Sequence, residues 1–381
     1  METADAVVIG AGVVGLSIAR HLSMKGIRTV VLERELSAGW GETSRCTGGI
    51  RHQFTSPVNI RLTQMSLPFF SHLEEETGAA VEFEQSGYLF LTAKASKLEE
   101  FRANVEMQRA LDVPSELVHP GRVGDIFPSL RTDDLAGGTF CPVDAQASPD
   151  GVVQGLVRLL GRVETVLLTD EPVSSISPLR GGTFVVRTRR HGFSTPLLFS
   201  AAGPWSAEVG RMVGIDLPVT VHPRQVFLVD SIPSLDYPVP LTVDLDTGWY
   251  LHRSHGGRFY TGGTDKECLP QWNTAVDWAK LGVLIEAATA RLPAIERAGI
   301  SHGYVGLRSM SPDYNAILGE HPQVPGLFWA GGFSGHGFMH APAVGRLLAE
   351  MAVDGRTSLD IGSLSPARFV SRLEAVEGCI F

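Results

Sequence analysis

Two strand–glycine–helix signals, one at each end of the chain, with a β-rich block between them, predict an α/β protein. In it, a Rossmann-like dinucleotide-binding domain is interleaved with a β-rich α+β domain. The chain has 381 residues, about two domains' worth at roughly 150 residues each. We assign residues 1–80, 145–220 and 300–381 to the dinucleotide-binding domain, and 81–144 and 221–299 to the β-rich substrate domain, with approximate boundaries.

The elements follow from local pattern. Residues 6–9 are a short apolar run that reads as a buried strand, and a glycine turn leads into a helix over about 13–25. Gly26 stops that helix and residues 29–32 form the next strand, a β-α-β unit that implies a parallel sheet. The stretch 34–60 is loop-rich, and 58–77 reads as a helix that Pro68 interrupts. A strand at 87–92, an amphipathic helix at 97–111, a helix at 150–163 and strands at 183–188 and 197–200 come next. Residues 221–263 are β-rich, with a hairpin pairing 250–253 and 258–261 around Ser254-His255-Gly256-Gly257. A helix is expected over 275–292, a strand at 327–330, and after a second glycine loop a helix to about Val353.

Composition excludes several classes. The net charge is −9 and only five lysines are present, so no basic stripe for nucleic acid exists. No run of about 18 apolar residues exists, which argues against a membrane span. The cysteines (Cys46, Cys141, Cys268 and Cys379) make no CxxC pair and no zinc spacing. No metal site is expected, and a reducing, cytoplasmic compartment fits best.

The first glycine loop, Gly10-Ala11-Gly12-Val13-Val14-Gly15, is GxGxxG directly after a strand and opening a helix. Gly10 permits the tight turn, Gly12 lets backbone approach a pyrophosphate, and Gly15 lets helix and strand pack closely. The helix N-terminus supplies N–H groups and a positive dipole end. Glu33 ends the second strand, where a carboxylate accepts bonds from ribose hydroxyls. The second loop, Gly331 to Met339, repeats strand, glycine turn and helix. Two such ends suit a long cofactor.

The combination resembles the D-amino-acid oxidase superfamily of FAD-dependent oxidoreductases, most closely sarcosine oxidases of the β-subunit type and the β subunit of L-proline dehydrogenases. It is carried by VIGAGVVGLSIARHLSMKGIRTVVLERE, SRCTGGIRHQF, SAAGPWS, GLRSMSPD and WAGGFSGHGFMHAPAVGRLL. The resemblance implies FAD and a small amino-acid or amine substrate. It places Gly10, Gly12, Val14, Gly15, Glu33 and Arg34 at the ADP moiety, with Val173 at the adenine. Ser44, Arg45, Gly48 and Gly49 would run beside pyrophosphate and flavin, and Ala202, Gly203 and Trp205 would close over the cofactor. Gly332, Phe333, Ser334, Gly335, His336, Gly337, Phe338 and Met339 would hold the flavin ring.

Oxidising an amine needs a neutral amine, a C–H bond aimed at flavin N5 and a fixed carboxylate. Arg51 and Arg308 resemble carboxylate-binding arginines of sarcosine and glycine oxidases, and either makes bidentate bonds. Tyr250 is a further carboxylate partner, or a half-buried strand tyrosine. The family's covalent flavin cysteine has Gly306 in its place, so the expected FAD is non-covalent. Met339 replaces a lysine of the carboxylate clamp, and the oxygen-activating lysine has no counterpart nearer than Lys266. The acceptor is O2 or another electron acceptor, and the protein works alone or with a hetero-oligomer partner subunit. The expected reaction is hydride transfer from a small amino acid, preferably a secondary amine such as sarcosine, proline or an N-substituted glycine, to give an imine. One rival is a 2-hydroxy-acid dehydrogenase with His52 as base, and another is a non-catalytic FAD-binding subunit.

Overall fold

The computed structural model describes residues 1–179, 181–254, 257–263, 268–369 and 376–378. A six-stranded sheet runs in the order Ile317–His321, Val324–Gly331, Leu197–Ser200, Ala6–Ile9, Thr29–Leu32, Thr165–Leu168. Its last five strands are parallel and the first is an antiparallel edge. The buried run Ala-Val-Val-Ile at 6–9 has no polar side chain because both faces are covered. On one face lie the helices Val13–Met24, Pro57–Thr77, Pro149–Leu160 and Gly337–Asp354. On the other lies a four-stranded sheet of Glu2–Thr3, Gly192–Thr195, Thr183–Arg187 and Ser175–Leu179, packing Phe184, Val186 and Phe193 against Val7 and Leu198.

An eight-stranded sheet forms the second layer system, ordered Ile300–Met310, Thr220–Val229, Phe259–Gly263, Trp249–Arg253, Leu241–Asp244, Tyr88–Thr92, Gly137–Cys141, Glu116–Val118. Its strands come from two separate stretches of chain, which flank the 165–200 stretch of the first sheet. Ile300–Met310 pairs along Thr220–Val229 here, although the expected boundary at 300 groups it with the other domain.

Several expected elements shift for physical reasons. Pro68 does not interrupt its helix, which runs unbroken over Pro57–Thr77. The helix expected from 275 begins at Ala279, where the Asp277 carboxylate accepts the Ala279 N–H and marks the entry. The hairpin over 250–261 forms, with Trp249–Arg253 paired to Phe259–Gly263; His255 and Gly256 of its turn lie outside the described residues. The helix Pro120–Ile126 and the short strand pair Gly49–Ile50 with Ala145–Gln146 had no sequence signal.

Candidate active site

Ile9, Ser200 and Gly331 end neighbouring strands of the six-stranded sheet, and two of those ends carry the glycine loops. Gly10 has φ +101°, and a Cβ there would lie 2.5 Å from the Ala201 carbonyl, so only glycine makes this turn. The two following helices touch closely: a Cβ on Gly345 would fall 2.5 Å from the Ser17 backbone. That contact brings both helix N-termini to one end of the sheet, where the dipoles favour negative charge.

At the first loop, Thr43 Oγ1 accepts the Val13 N–H at 3.1 Å. Glu33 is buried; Oε2 accepts from Ala11 N–H at 2.6 Å and Oε1 from Glu35 N–H at 2.9 Å. Burial is the largest influence on its carboxyl and raises it above the ordinary value, while these N–H groups oppose the rise. The carboxylate thus ties the glycine turn to the strand that follows. Arg34 lies over the Trp205 ring at 4.3 Å.

At the second loop, Ser334 has φ +53° and its N–H bonds Ser309 O at 2.8 Å, while its Oγ accepts from Ser311 N–H. The loop is thereby pinned to the strand that carries Arg308. His336 caps the helix Gly337–Asp354 and is buried, with Nε2 3.1 Å from the Arg51 guanidinium. Burial first, then Arg51, His340 and Arg308, hold its imidazole well below the ordinary value, so the ring is neutral. Arg51 also donates to Gln53 O and lies 3.9 Å from the Phe54 ring centre.

The eight-stranded sheet covers this end. Strand alternation puts Arg308, Gly306 and Tyr304 on one face, and the register aligns them with His222, Arg224 and Val226. Tyr250 pairs with Gly262, and a Cβ on Gly262 would sit 2.5 Å from the Tyr250 hydroxyl, so the glycine makes room for the ring. Burial raises the Tyr250 phenol above its ordinary value, which keeps it a neutral donor. Burial and then Arg224 lower Arg308 to about 10, which leaves it a cation at neutral pH.

These parts line one cavity of about 490 Å³, within the range of small-molecule sites. Gly10, Gly12, Val14, Glu33, Arg34, Val173, Ala202, Gly203 and Trp205 line one end. Phe333 to Met339 line the other with Arg45, Gly49, Arg51, Tyr250 and Arg308. Gly15, Gly48 and Gly332 do not line it: Gly15 packs on the Gly10 carbonyl, Gly48 on the Ala147 carbonyl, and Gly332 against Ser311 and Ile317. Ser44 faces a neighbouring hollow instead.

His52 is placed elsewhere and does not line the cavity. Its Nδ1 and its backbone N–H both meet Asp144 Oδ1, at 2.8 and 2.7 Å, and Gln53 Nε2 donates to Asp144 Oδ2. Cys141 joins this buried group within 4.8 Å, an assembly of metal-capable atoms that sequence spacing did not suggest. Its carboxylate oxygens are already taken by protein donors. Lys266 lies outside the described residues. Sequence reasoning also missed Thr43, Glu42 and Arg224. Glu42 lines the cavity and accepts from the Leu307 N–H; burial pushes its carboxyl up to about 7. No motif marks it, because its partner is distant in the chain. Cys46 is a half-buried thiol that burial pushes up to about 11, which makes it unreactive.

The family model described as DAO, FAD dependent oxidoreductase, matches residues 5–351. Rat mitochondrial dimethylglycine dehydrogenase is 28% identical over 97% of this chain and 45% of its own length. Human mitochondrial sarcosine dehydrogenase is 29% identical over 97% of this chain and 42% of its own. The chain therefore spans less than half the length of these relatives. Among solved structures, L-proline dehydrogenase from P. horikoshii superposes with a TM-score of 0.91 at 28% identity, covering 97% of this chain and 98% of that one.

Proposed function

Because the chain belongs to the DAO family of FAD-dependent oxidoreductases, we propose that it oxidises the C–N bond of a small amino acid. A secondary amine of the sarcosine, proline or N-substituted glycine type is the preferred substrate. The observation that carries this reading is the convergence of Arg51, Arg308 and Tyr250 on the second glycine loop inside one cavity.

The residues present fit FAD. A helix N-terminus meets Gly10 and Gly12, and a Cβ on Gly12 would lie 3.1 Å from Thr43 Oγ1, so this cradle tolerates little side chain. Gly10, Gly12 and the N-terminus of Val13–Met24 would hold the pyrophosphate, Glu33 and Arg34 the adenosine, and Gly335 to Met339 the flavin. Gly306 offers no thiol for a covalent link, which supports non-covalent binding. When bound, FAD supplies the two-electron acceptor for the substrate C–H hydride.

The chain's own residues do the rest. The guanidinium forks of Arg51 and Arg308 grip the substrate carboxylate, and the neutral Tyr250 hydroxyl donates a further bond. This fixes which C–H bond points at the flavin end, an orientation effect worth several kcal/mol in favourable cases. Leu241, Val243 and Tyr88 line the same wall and exclude water. The amine reacts in its neutral form, and the imine product hydrolyses in water. The hydroxy-acid rival loses its base, because His52 is bound to Asp144 outside the cavity.

A hetero-oligomer partner, the electron acceptor and a cytoplasmic setting belong to the same proposal. No helix among the described residues is long and apolar enough to cross a membrane.

Anaerobic addition of sarcosine, proline and simple D- and L-amino acids to the yellow holoprotein tests the proposal. Bleaching by one of them supports it, and readmitted air then sorts oxidase from dehydrogenase. Bleaching by 2-hydroxy acids alone, or by nothing, overturns it, the latter in favour of a flavin-binding subunit without chemistry of its own.

A further inference from the structure

We propose that His336 is a positioning residue whose Nε2 accepts from the Arg51 guanidinium and fixes that fork for the substrate carboxylate, a role that rests on the function proposed above. Arg51 sits in the short connection between the Gly49–Ile50 strand and the Pro57–Thr77 helix. Two of its anchors, Gln53 O and the Phe54 ring, lie on that same connection. Those two move with it, and the Phe90 ring of the eight-stranded sheet lies farther off, 5.9 Å from the guanidinium.

His336 comes from a different segment, the second glycine loop. It is 4% exposed, its N–H bonds Phe333 O, and its ring stands edge-on to Phe54 at 4.8 Å and 84°. The 3.1 Å contact to Arg51 therefore joins the arginine segment to the loop that heads the second helix. An arginine has only donors, so His336 Nε2 is the acceptor and Nδ1 carries the proton. A long arginine side chain loses rotamer freedom when it is fixed. An acceptor that holds it beforehand removes part of that cost from substrate binding.

The test uses the holoenzyme, with pyrrole-2-carboxylate as the probe ligand read by flavin absorbance, and amino-acid kinetics alongside. Five variants are compared: R51A, H336L, H336Q, H336N and the double variant R51A/H336L. Glutamine reaches as far as Nε2 and supplies an oxygen acceptor, whereas asparagine is too short. H336L and H336N should weaken ligand binding about tenfold, with the loss falling in KM more than in kcat. H336Q should recover to within about threefold, and H336L in the R51A background should add no further loss, the non-additivity of a coupled pair. If H336L fails to retain flavin, the comparison of H336Q with H336N decides, and equal affinities overturn the proposal. R51A weakening the ligand while H336L and H336N leave it unchanged removes His336's role alone. R51A and H336L both without effect remove Arg51 from the carboxylate clamp, and this proposal with it, while R308A then tests the carboxylate reading separately.

Discussion

Glu42 shows how one half-buried side chain ties the site to pH. Burial pushes its carboxyl from an ordinary 4.5 to about 7, against the lowering effects of the Leu307 N–H and Arg45. The folded chain then keeps a proton that the unfolded chain releases, so stability falls as pH rises from about 4.5 to 7. Glu42→Gln carries no such proton. The variant should therefore lose less Tm than the parent between pH 5 and pH 8, and parallel Tm–pH curves would contradict the assignment. At this scale the sequence was legible where chemistry is local. The fingerprint glycines and Glu33 lie within one β-α-β unit, and their spacing alone implies their neighbours. Arg51 and Arg308 were recognised singly, but nothing in their spacing places both in one cavity with Arg224. His52 illustrates the converse. It was the candidate base of the hydroxy-acid rival, yet adjacent residues leave the backbone in different directions, and His52 turns away from Arg51 to Asp144.

Among the elements, the two glycine-headed helices and the hairpin over 249–263 decide the geometry. The Val13–Met24 helix and the Thr29–Leu32 strand were legible because apolar period, a stop at Gly26 and a short loop agree. The hairpin's alternation was legible too, but not the reason for Gly262. That glycine lies beneath the Tyr250 ring, a fact visible only once the strands are paired. Gly262→Ala forces the ring to shift by placing a methyl within 2.5 Å of the hydroxyl. It should raise KM for the amino acid about tenfold or more, with flavin content unchanged. Parent-like steady-state kinetics would show that Tyr250 does not touch substrate. Pro68 was misjudged for a related reason: a proline costs about 3 kcal/mol in an isolated helix, but packing of the long Pro57–Thr77 helix on its neighbours offsets that loss.

Across the whole molecule, segments distant in sequence close the site from several sides. The tail supplies one example. Glu377 is fully buried, and its carboxylate accepts from Thr55 N–H at 2.9 Å, Thr55 Oγ1 at 2.6 Å, Ser56 Oγ at 2.5 Å and Asn59 Nδ2 at 3.1 Å. Those donors sit at the start of the Pro57–Thr77 helix, where a negative charge is favoured, just after the segment that bears Arg51. Glu377→Gln replaces an acceptor with an amide donor in that cluster. It should cost about 1–3 kcal/mol and lower Tm by several degrees. An unchanged melting curve would show that the latch contributes nothing. Such long-range closure was not legible, because it needs the assembled sheets to bring residue 377 beside residue 55.

In the proposed reaction, arginines holding a carboxylate orient the amine toward the flavin. The most direct measurement is stopped-flow reduction of the flavin under anaerobic conditions, comparing the best amino-acid substrate with its carboxamide. The amide keeps the amine and the reacting C–H bond but removes the charge. The amide should lose at least about tenfold in the ratio of reduction rate to dissociation constant, ~1.4 kcal/mol or more. Equal values for acid and amide would contradict it, and would mean that the cavity recognises the amine without the arginine clamp.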